Sequence, residues 1–219
     1  MAVLYNVGIS VGRACFTLFS RWEVEGRESV PRKGRLIIVA NHQSNMDPPL
    51  IAATMPRRVY FLGKKELFAN RLFSVILDAW GVYPVGRSGH DFSALLRSVQ
   101  LLEQEKALVV FPETTRNPRG MRRSAPGVAY LALKTGAPIL PVGITGTEHV
   151  GPMIRVAMPL CRVKVSIGTA FTLPPVDGPP SREVLEGMTE LVMRRVAALL
   201  PLEYRGIYAS SVALAQGGE

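Results

Sequence analysis

Residues 35–50 read RLIIVANHQSNMDPPL, and this stretch decides the fold class. Its first part, residues 35–41, is a short continuous apolar run with β-branched side chains, which is typical of a strand buried on both faces. Asp47 is followed by Pro48, and the pair predicts a helix start, with Asp47 as N-cap and proline at the first helical position. A buried strand, a short turn and a helix in this order indicate an α/β protein.

The same alternation of strands and helices continues along the chain. Further strands are predicted at 58–68 (running into a basic turn and a helix), 107–113, 138–146 and 162–168. Helices are predicted at 49–55, 92–105 with Asp91 as its cap, 126–136 closed by Gly136, and 182–200 capped by Ser181. We therefore expect a mixed, largely parallel central sheet with helices on both faces, preceded by an N-terminal apolar or amphipathic helix. In such sheets ligands bind at the carboxyl ends of the strands.

Composition narrows the class of partner. The 219 residues, 47% of them hydrophobic, suffice for one domain with a substantial core. A net charge of +9 favours polyanions, and an aromatic content of only 7% argues against nucleic acid, so an anionic membrane surface or a phosphorylated substrate is expected. Cys15 and Cys161 lie far apart and form neither metal spacing nor a disulfide framework, which indicates a reducing compartment.

The N-terminal segment, residues 1–22, is apolar but is interrupted by Arg13. A membrane span with that arginine near its centre would cost roughly 2.5 to 3.5 kcal/mol. A helix lying along the bilayer, with Arg13 and Arg21 reaching toward headgroups, is cheaper. We therefore expect a membrane-associating helix at 1–22 and a single domain at 23–219, while a first helix that simply packs on the core stays an alternative.

His42 and Asp47 are the first candidate site residues. On one continuous helix, residues five apart point about 140° away from each other, so the two side chains can meet only if residues 43–46 form a turn. The strand before and the helix start after predict that turn, so a general base oriented by a carboxylate is available. The alternative is a structural loop histidine with Asp47 serving only as N-cap. No third ligand shows metal spacing, so no metal site is expected.

Two further polar clusters follow predicted strands. Glu113 and Arg116 come just after the strand at 107–113, and the planar guanidinium of Arg116 suits phosphate oxygens. Lys64 and Lys65 follow a glycine at a strand-to-helix turn, where a phosphate can approach backbone and ammonium groups together. Solvated surface charge is the alternative for both clusters. Placement of three polar clusters at strand ends favours one shared ligand site.

In this order the clusters resemble the motifs of the glycerolipid acyltransferase family, the lysophosphatidic acid (1-acyl-sn-glycerol-3-phosphate) acyltransferases. The family's Asn-His-x4-Asp motif is matched by residues 41–47, and its Phe-Pro-Glu-Gly-Thr-Arg motif by FPETTR at 111–116. Residues 63–68, GKKELF, are similar to its basic second motif, and PILPV at 138–142 to its fourth. The resemblance extends over roughly residues 25–170.

The resemblance implies a function. An acyl group would pass from acyl-CoA or acyl carrier protein to the hydroxyl of lysophosphatidic acid, giving phosphatidic acid without a cofactor. By the resemblance His42 is the general base, Asp47 orients it, and Arg116 with Lys64 or Lys65 binds the phosphate. Glu113 would shape the pocket. Because a single apolar helix precedes the matched region, we expect association with the cytoplasmic face of the membrane, peripheral or shallowly inserted through that helix.

Thr114 departs from the family pattern, which usually has glycine at this position. If that glycine serves a positive φ, threonine is strained there and the choice of acceptor is open. Another acceptor, such as glycerol-3-phosphate, another lysophospholipid or a lyso-aminolipid, therefore stays an alternative. A non-catalytic module that binds anionic membranes is an alternative of another class.

Overall fold

The computed structural model describes residues 2–86, 92–150 and 160–210. Its helices are α1 (Ala2–Phe19), α2 (Asp47–Thr54), α3 (Arg71–Ala79), α4 (Phe92–Glu103), α5 (Gly127–Thr135) and α6 (Arg182–Ala198). Its strands are β1 (Arg21–Glu25), β2 (Leu36–Ala40), β3 (Val59–Lys64), β4 (Val82–Val85), β5 (Ala107–Val110), β6 (Ile139–Thr145) and β7 (Arg162–Ile167). The described strands form one sheet in the order β1-β7-β6-β2-β5-β3-β4.

The sheet is mixed and largely parallel, as predicted. Strands β6, β2, β5, β3 and β4 run parallel to one another, whereas β7 pairs antiparallel with β6, and β1 follows β7 in the reversed direction. The central strand β2 is buried along its whole length, which explains its continuous apolar sequence. The carboxyl ends of β6, β2, β5 and β3 therefore lie at one edge of the sheet.

Helices cover both faces, which confirms the predicted fold class. Leu36 and Ile38 of β2 pack in a core with residues of α1 and α2, whereas Ile37 and Val39 pack in a second core with α4, α5 and α6. Two predicted helix ends are confirmed. Gly136 closes α5 with φ of 63°, and the Ser181 hydroxyl accepts a hydrogen bond from the Val184 amide at the start of α6.

Two strands were not predicted, and one predicted cap lies outside the described residues. Strand β1 is an edge strand whose residues RWEVE alternate between exposed and half-buried. Strand β4 contains Pro84 and forms the opposite edge, where a missing backbone donor is tolerated. Asp91, the predicted cap of α4, falls in the segment that the structure does not describe.

Helix α1 has one face in the core and another exposed. Tyr5, Ile9 and Phe16 are buried, so the first helix does pack on the domain. An exposed apolar stripe runs along its other side, formed by Val3, Val7, Val11 and Leu18. Among the described residues, no helix combines the length and apolar character that crossing a membrane requires.

Arg13 does not reach outward as the sequence suggested. Its Nε donates to the Ala53 carbonyl at 2.7 Å, and its Nη2 donates to the Met55 carbonyl at 3.1 Å. These carbonyls belong to the carboxyl end of α2, whose last turn has no helical donors left to bond them. Arg13 therefore joins α1 to the end of α2, because the unpaired helix carbonyls attract its half-buried guanidinium.

Candidate active site

The end of strand β2 is fixed by Asn41. Its side-chain Nδ2 donates to the Ile144 carbonyl at 2.9 Å, and its Oδ1 accepts from the Ile144 amide at 2.8 Å. This two-point bond to the neighbouring strand β6 continues the sheet ladder through a side chain. The next residue, His42, consequently begins its turn from a rigid position at the carboxyl edge of the sheet.

Residues 43–46 form the turn that brings His42 and Asp47 together. His42 Nδ1 lies 2.7 Å from Asp47 Oδ2, and the same oxygen accepts from the amides of Gln43 at 2.6 Å and Ser44 at 2.9 Å. The Asp47 side chain is fully buried, whereas 17% of the His42 side chain is exposed. Because a carboxylate only accepts, Nδ1 carries the ring hydrogen and Nε2 keeps its lone pair. The arrangement can therefore accept a proton at Nε2.

The prediction that Asp47 is the N-cap of the helix is wrong. Met46 occupies the cap position without a side-chain bond, and Asp47 is the first residue of α2. Its carboxylate is directed back to the amides of the preceding turn, because these are the nearest unpaired donors once residues 43–46 fold over it. The second oxygen, Oδ1, accepts from the Thr147 hydroxyl at 2.6 Å rather than from the helix start.

Glu113 and Asn117 hold the backbone of His42 from both sides. Glu113 Oε1 accepts from the His42 amide at 3.1 Å, while its Oε2 accepts from the Arg122 amide at 3.0 Å. The Asn117 amide donates to the His42 carbonyl at 2.7 Å. Burial raises the pKa of Glu113, although both amide bonds act to lower it. Both carboxylate oxygens of Glu113 are thus engaged in shaping the loop; Asn117 carried no signal that the sequence analysis used.

Phe111 packs on the imidazole of His42. The ring centroids lie 4.3 Å apart and the planes differ by 24°, which is a stacked arrangement. Phe111 belongs to the FPETTR segment, but no pattern in that segment predicts a contact between Phe111 and His42. Stacking leaves the imidazole little freedom to rotate about its side-chain bonds. The ring orientation is thus set by Asp47 at its edge and by Phe111 on its face.

Arg116 lies at the mouth of the same turn. Its Nη1 donates to Asn45 Oδ1 at 2.8 Å, and the side chain is otherwise exposed. Asn45 is itself a member of the turn between His42 and Asp47, so the bond attaches the guanidinium to the candidate base. The remaining guanidinium donors can bind an anion beside this turn.

The two predicted lysines lie farther away. Lys64 ends β3 and Lys65 begins the following 3-10 helix, and both side chains are exposed. Strand β5 separates β3 from β2, so about 10 Å lies between the ends of β3 and β2. In the described parts of the chain neither lysine forms a hydrogen bond or ion pair with the His42 turn. They contribute positive charge to the same edge.

Thr147 is a site residue that sequence reasoning missed. It follows β6 and is fully buried. Gly146 precedes it with φ of 87°, and a Cβ there would meet the Arg162 carbonyl oxygen at 1.8 Å, so only glycine permits this turn. The sequence pattern could have indicated Thr147, because it is another polar residue just beyond a predicted buried strand. In the described residues no group of three or more His, Cys, Asp and Glu side chains could hold a metal ion.

Thr114 adopts the conformation that glycine usually provides. Its φ is 58°, in the left-handed region, which is unfavourable for a β-branched residue. The expectation of strain at this position is confirmed. The Thr114 amide donates to the Phe111 carbonyl at 3.1 Å, which keeps the loop closed despite the strain. The loop therefore retains a tight turn but adds a branched, exposed side chain beside Glu113.

Several known proteins are similar to this chain in sequence and in fold. A 1-acyl-sn-glycerol-3-phosphate acyltransferase of Borreliella burgdorferi is 32% identical over 129 residues, which are 58% of this chain and 52% of the relative. The chain thus spans about half the length of this curated relative. A 1-acyl-sn-glycerol-3-phosphate acyltransferase of Bacillus subtilis is 24% identical over 180 residues, 81% of this chain and 87% of the relative.

A solved structure extends the likeness to the whole fold. The crystal structure of the 1-acyl-sn-glycerophosphate (LPA) acyltransferase PlsC from Thermotoga maritima has 27% sequence identity and a TM-score of 0.68, covering 98% of this chain and 80% of that one. The family model described as Acyltransferase matches residues 21–145, more than half of the chain. That segment includes His42, Asp47, Glu113 and Arg116. The chain therefore belongs to the acyltransferase family.

Proposed function

We propose that this protein transfers a fatty acyl group from an acyl thioester, either acyl-CoA or acyl carrier protein, to the free hydroxyl of lysophosphatidic acid. The product is phosphatidic acid. The observation that carries the proposal is the 2.7 Å bond between His42 Nδ1 and the buried Asp47 carboxylate, which leaves Nε2 as a base at the strand edge. The relatives named above, which are 1-acyl-sn-glycerol-3-phosphate acyltransferases, support the proposal.

We propose the following reaction. His42 Nε2 takes the proton of the acceptor hydroxyl as its oxygen bonds to the thioester carbonyl carbon. Asp47 keeps the ring oriented and stabilises the imidazolium that forms. Breaking the carbon–sulfur bond releases a thiolate, which takes the proton back from Nε2. The substrate supplies the attacking hydroxyl, so the protein needs no serine nucleophile.

Arg116 is proposed to bind the acceptor phosphate. Its bond to Asn45 fixes the guanidinium beside the His42 turn, and phosphate oxygens match its planar donors. Binding the phosphate there would position the hydroxyl near the base, which is how remote contacts raise the rate. Lys64 and Lys65 would add attraction for the phosphate from the end of β3, and Glu113 would keep the pocket in shape through its two amide bonds.

Replacing Arg116 by alanine tests the acceptor. Losing hydrogen bonds to a charged group should raise KM for lysophosphatidic acid by about tenfold to a hundredfold. Release of free thiol is measured with lysophosphatidic acid, glycerol-3-phosphate, other lysophospholipids and phosphate-free monoacylglycerol. Arg119→Ala, an exposed arginine of the same loop, is the matched control and should change little. Equal turnover of monoacylglycerol and lysophosphatidic acid by the unaltered protein would refute the phosphate-binding role.

The exposed stripe of α1 is proposed to bind the surface of the cytoplasmic membrane leaflet. Val3, Val7, Val11 and Leu18 present an apolar surface on a helix anchored through its other face. The net charge of +9 favours the anionic lipids of that leaflet. A membrane-bound catalytic domain would receive both acyl chains of its substrates directly from the bilayer.

A double substitution, Val7→Glu with Val11→Glu, tests this surface. Each valine gains up to about 1.5 to 3 kcal/mol when fully buried, so losing two should weaken vesicle binding by at least tenfold. Sedimentation with vesicles of phosphatidylglycerol and phosphatidylcholine measures it. The matched control, Leu202→Glu with Ile207→Glu, changes two exposed apolar residues beyond α6. Equal loss of binding in both variants would show a charge effect and not an α1 surface.

A further inference from the structure

The second oxygen of the Asp47 carboxylate belongs to a hydrogen-bond network that the reaction above does not use. Thr147 Oγ1 lies 2.6 Å from Asp47 Oδ1 and 3.2 Å from Gln43 Oε1. All three side chains are buried, and Thr147 and Asp47 are fully inaccessible to solvent. Thr147 also lies two residues beyond the segment that the family model matches. The network therefore reaches His42 from outside that segment.

A hydroxyl has one hydrogen, so Thr147 cannot donate to both oxygens. The contact to Asp47 is shorter and its acceptor carries charge, so the hydrogen points at Asp47 Oδ1. That leaves the Thr147 lone pairs facing the Gln43 amide. An amide oxygen at that position would repel them, whereas an amide nitrogen would donate to them.

The remaining atom of the Gln43 amide supports the second orientation. With Oε1 toward Thr147, Nε2 is a buried donor without a hydrogen-bond partner. Amide oxygen and nitrogen are distinguished by their hydrogen-bond network, and exchanging them lets Nε2 donate to Thr147 Oγ1. The atom left without a partner is then a carbonyl oxygen, which buried sites tolerate better than an unpaired N–H group.

We propose that Gln43 and Thr147 are positioning residues that form a hydrogen-bond chain directed at the Asp47 carboxylate, which also accepts from His42. Gln43 Nε2 donates to Thr147 Oγ1, Thr147 donates to Asp47 Oδ1, and His42 Nδ1 donates to Asp47 Oδ2. The chain fixes the plane of the carboxylate and limits the negative charge that faces the imidazole. Its kinetic consequence rests on the proposed function; the hydrogen-bond directions themselves do not.

Thr147→Val removes the hydroxyl at nearly unchanged shape. We expect kcat to fall about tenfold with KM nearly unchanged. The carboxylate loses the charge-assisted hydrogen bond that fixes its plane, so it orients the imidazole less well. The carboxylate also keeps more charge facing the imidazole and favours imidazolium, so the acidic limb of the pH–rate profile should move up by about 0.5 to 1 pH unit. Thr147→Ser retains the hydroxyl and should restore both quantities. The other charged groups near the ring, Glu113 and Arg116, are unchanged in every variant.

Gln43→Met discriminates between the two amide orientations. If Gln43 Nε2 donates to Thr147, the substitution removes that hydrogen bond and leaves the Thr147 hydroxyl less well oriented toward Asp47. We then expect kcat to fall about threefold to tenfold, and the acidic limb of the pH–rate profile to move up, as in Thr147→Val. If Oε1 instead competes for the Thr147 hydrogen, its removal strengthens the bond to Asp47 and kcat stays the same or rises. The second result would overturn the proposed chain.

A measurement without substrate separates this inference from the proposed function. Nitrogen-15 NMR of the imidazoles, with His42→Ala to assign the signals, should place the neutral hydrogen of His42 on Nδ1. Its titration midpoint should rise in Thr147→Val and return to the original value in Thr147→Ser. An unchanged midpoint in Thr147→Val overturns the chain. If the midpoint shifts but the protein acylates no acceptor, the hydrogen-bond chain is supported and the proposed function is refuted.

Discussion

His42→Ala is expected to lower kcat/KM for acyl transfer by about two to four orders of magnitude, the range that a positioned general base contributes. The fold should survive. Asp47 loses only one of its four donors, since the Gln43 amide, the Ser44 amide and the Thr147 hydroxyl remain in place. Free-thiol release at saturating donor measures the rate, and circular dichroism reports the fold.

His149→Ala is the control for the His42 variant. His149 is exposed and interacts only with the neighbouring Glu148 among the described contacts, so its loss should leave the rate unchanged. Vesicle binding should be equal in the unaltered protein and both variants. A His42→Ala protein that transfers acyl groups at the original rate would contradict the catalytic role, and a protein that binds vesicles but never acylates would indicate a membrane-binding module.

Asp47→Asn should cause a loss of similar size, with kcat reduced on the order of a thousandfold to ten-thousandfold. The amide oxygen can still accept from His42 Nδ1 and the two turn amides, while the amide nitrogen faces the Thr147 hydroxyl, which can accept. Geometry is therefore preserved and the charge is lost. The imidazolium formed during proton transfer then lacks the negative charge that the buried Asp47 carboxylate places at its Nδ1.

Comparing Asp47→Asn with Asp47→Ala separates chemistry from folding. Alanine would leave two amides, a hydroxyl and an imidazole without their acceptor, so stability in urea should fall by several kcal/mol, at about 1–3 kcal/mol for each buried group. Asparagine should unfold close to the original midpoint, as should the exposed control Asp177→Asn. If Asp47→Asn keeps full activity, the carboxylate is structural and does not stabilise the base.

The sequence predicted the strands that are buried and the helices with clear ends. Residues 35–41 were predicted to be a buried strand, because a continuous apolar run with β-branched side chains is typical of a strand covered on both faces. Ser181 and Gly136 marked real helix ends for local reasons that require no tertiary contact. The edge strands β1 and β4 were not predicted. Exposed positions in β1 and a proline in β4 weaken the pattern that identifies a strand.

The site was predictable where its contacts are local and unpredictable where they are not. The bond between His42 and Asp47 spans five residues and follows from one turn. The bond from Thr147 to Asp47 joins residues 100 apart, and that from Glu113 to the His42 amide joins residues 71 apart. Such contacts depend on the order of β6, β2 and β5 in the sheet, which strand periodicity alone does not specify. The Asp47 cap was wrong for a local reason, because the amides of Gln43 and Ser44 in the preceding turn bind the carboxylate in place of the amides of the helix start.

The bond from Arg13 to the end of α2 has a consequence for how a shortened protein would behave. Helix α2 has eight residues, about 12 Å in length, with Asp47 at one end and the carbonyls bound by Arg13 near the other. A truncation that deletes α1 would therefore remove this support of α2, the helix that begins at Asp47, together with the apolar stripe. If such a truncation lost activity, the loss could come from detachment from lipid or from loosening of Asp47. Substitutions confined to the exposed stripe of α1 change lipid binding alone and leave the support of Asp47 in place.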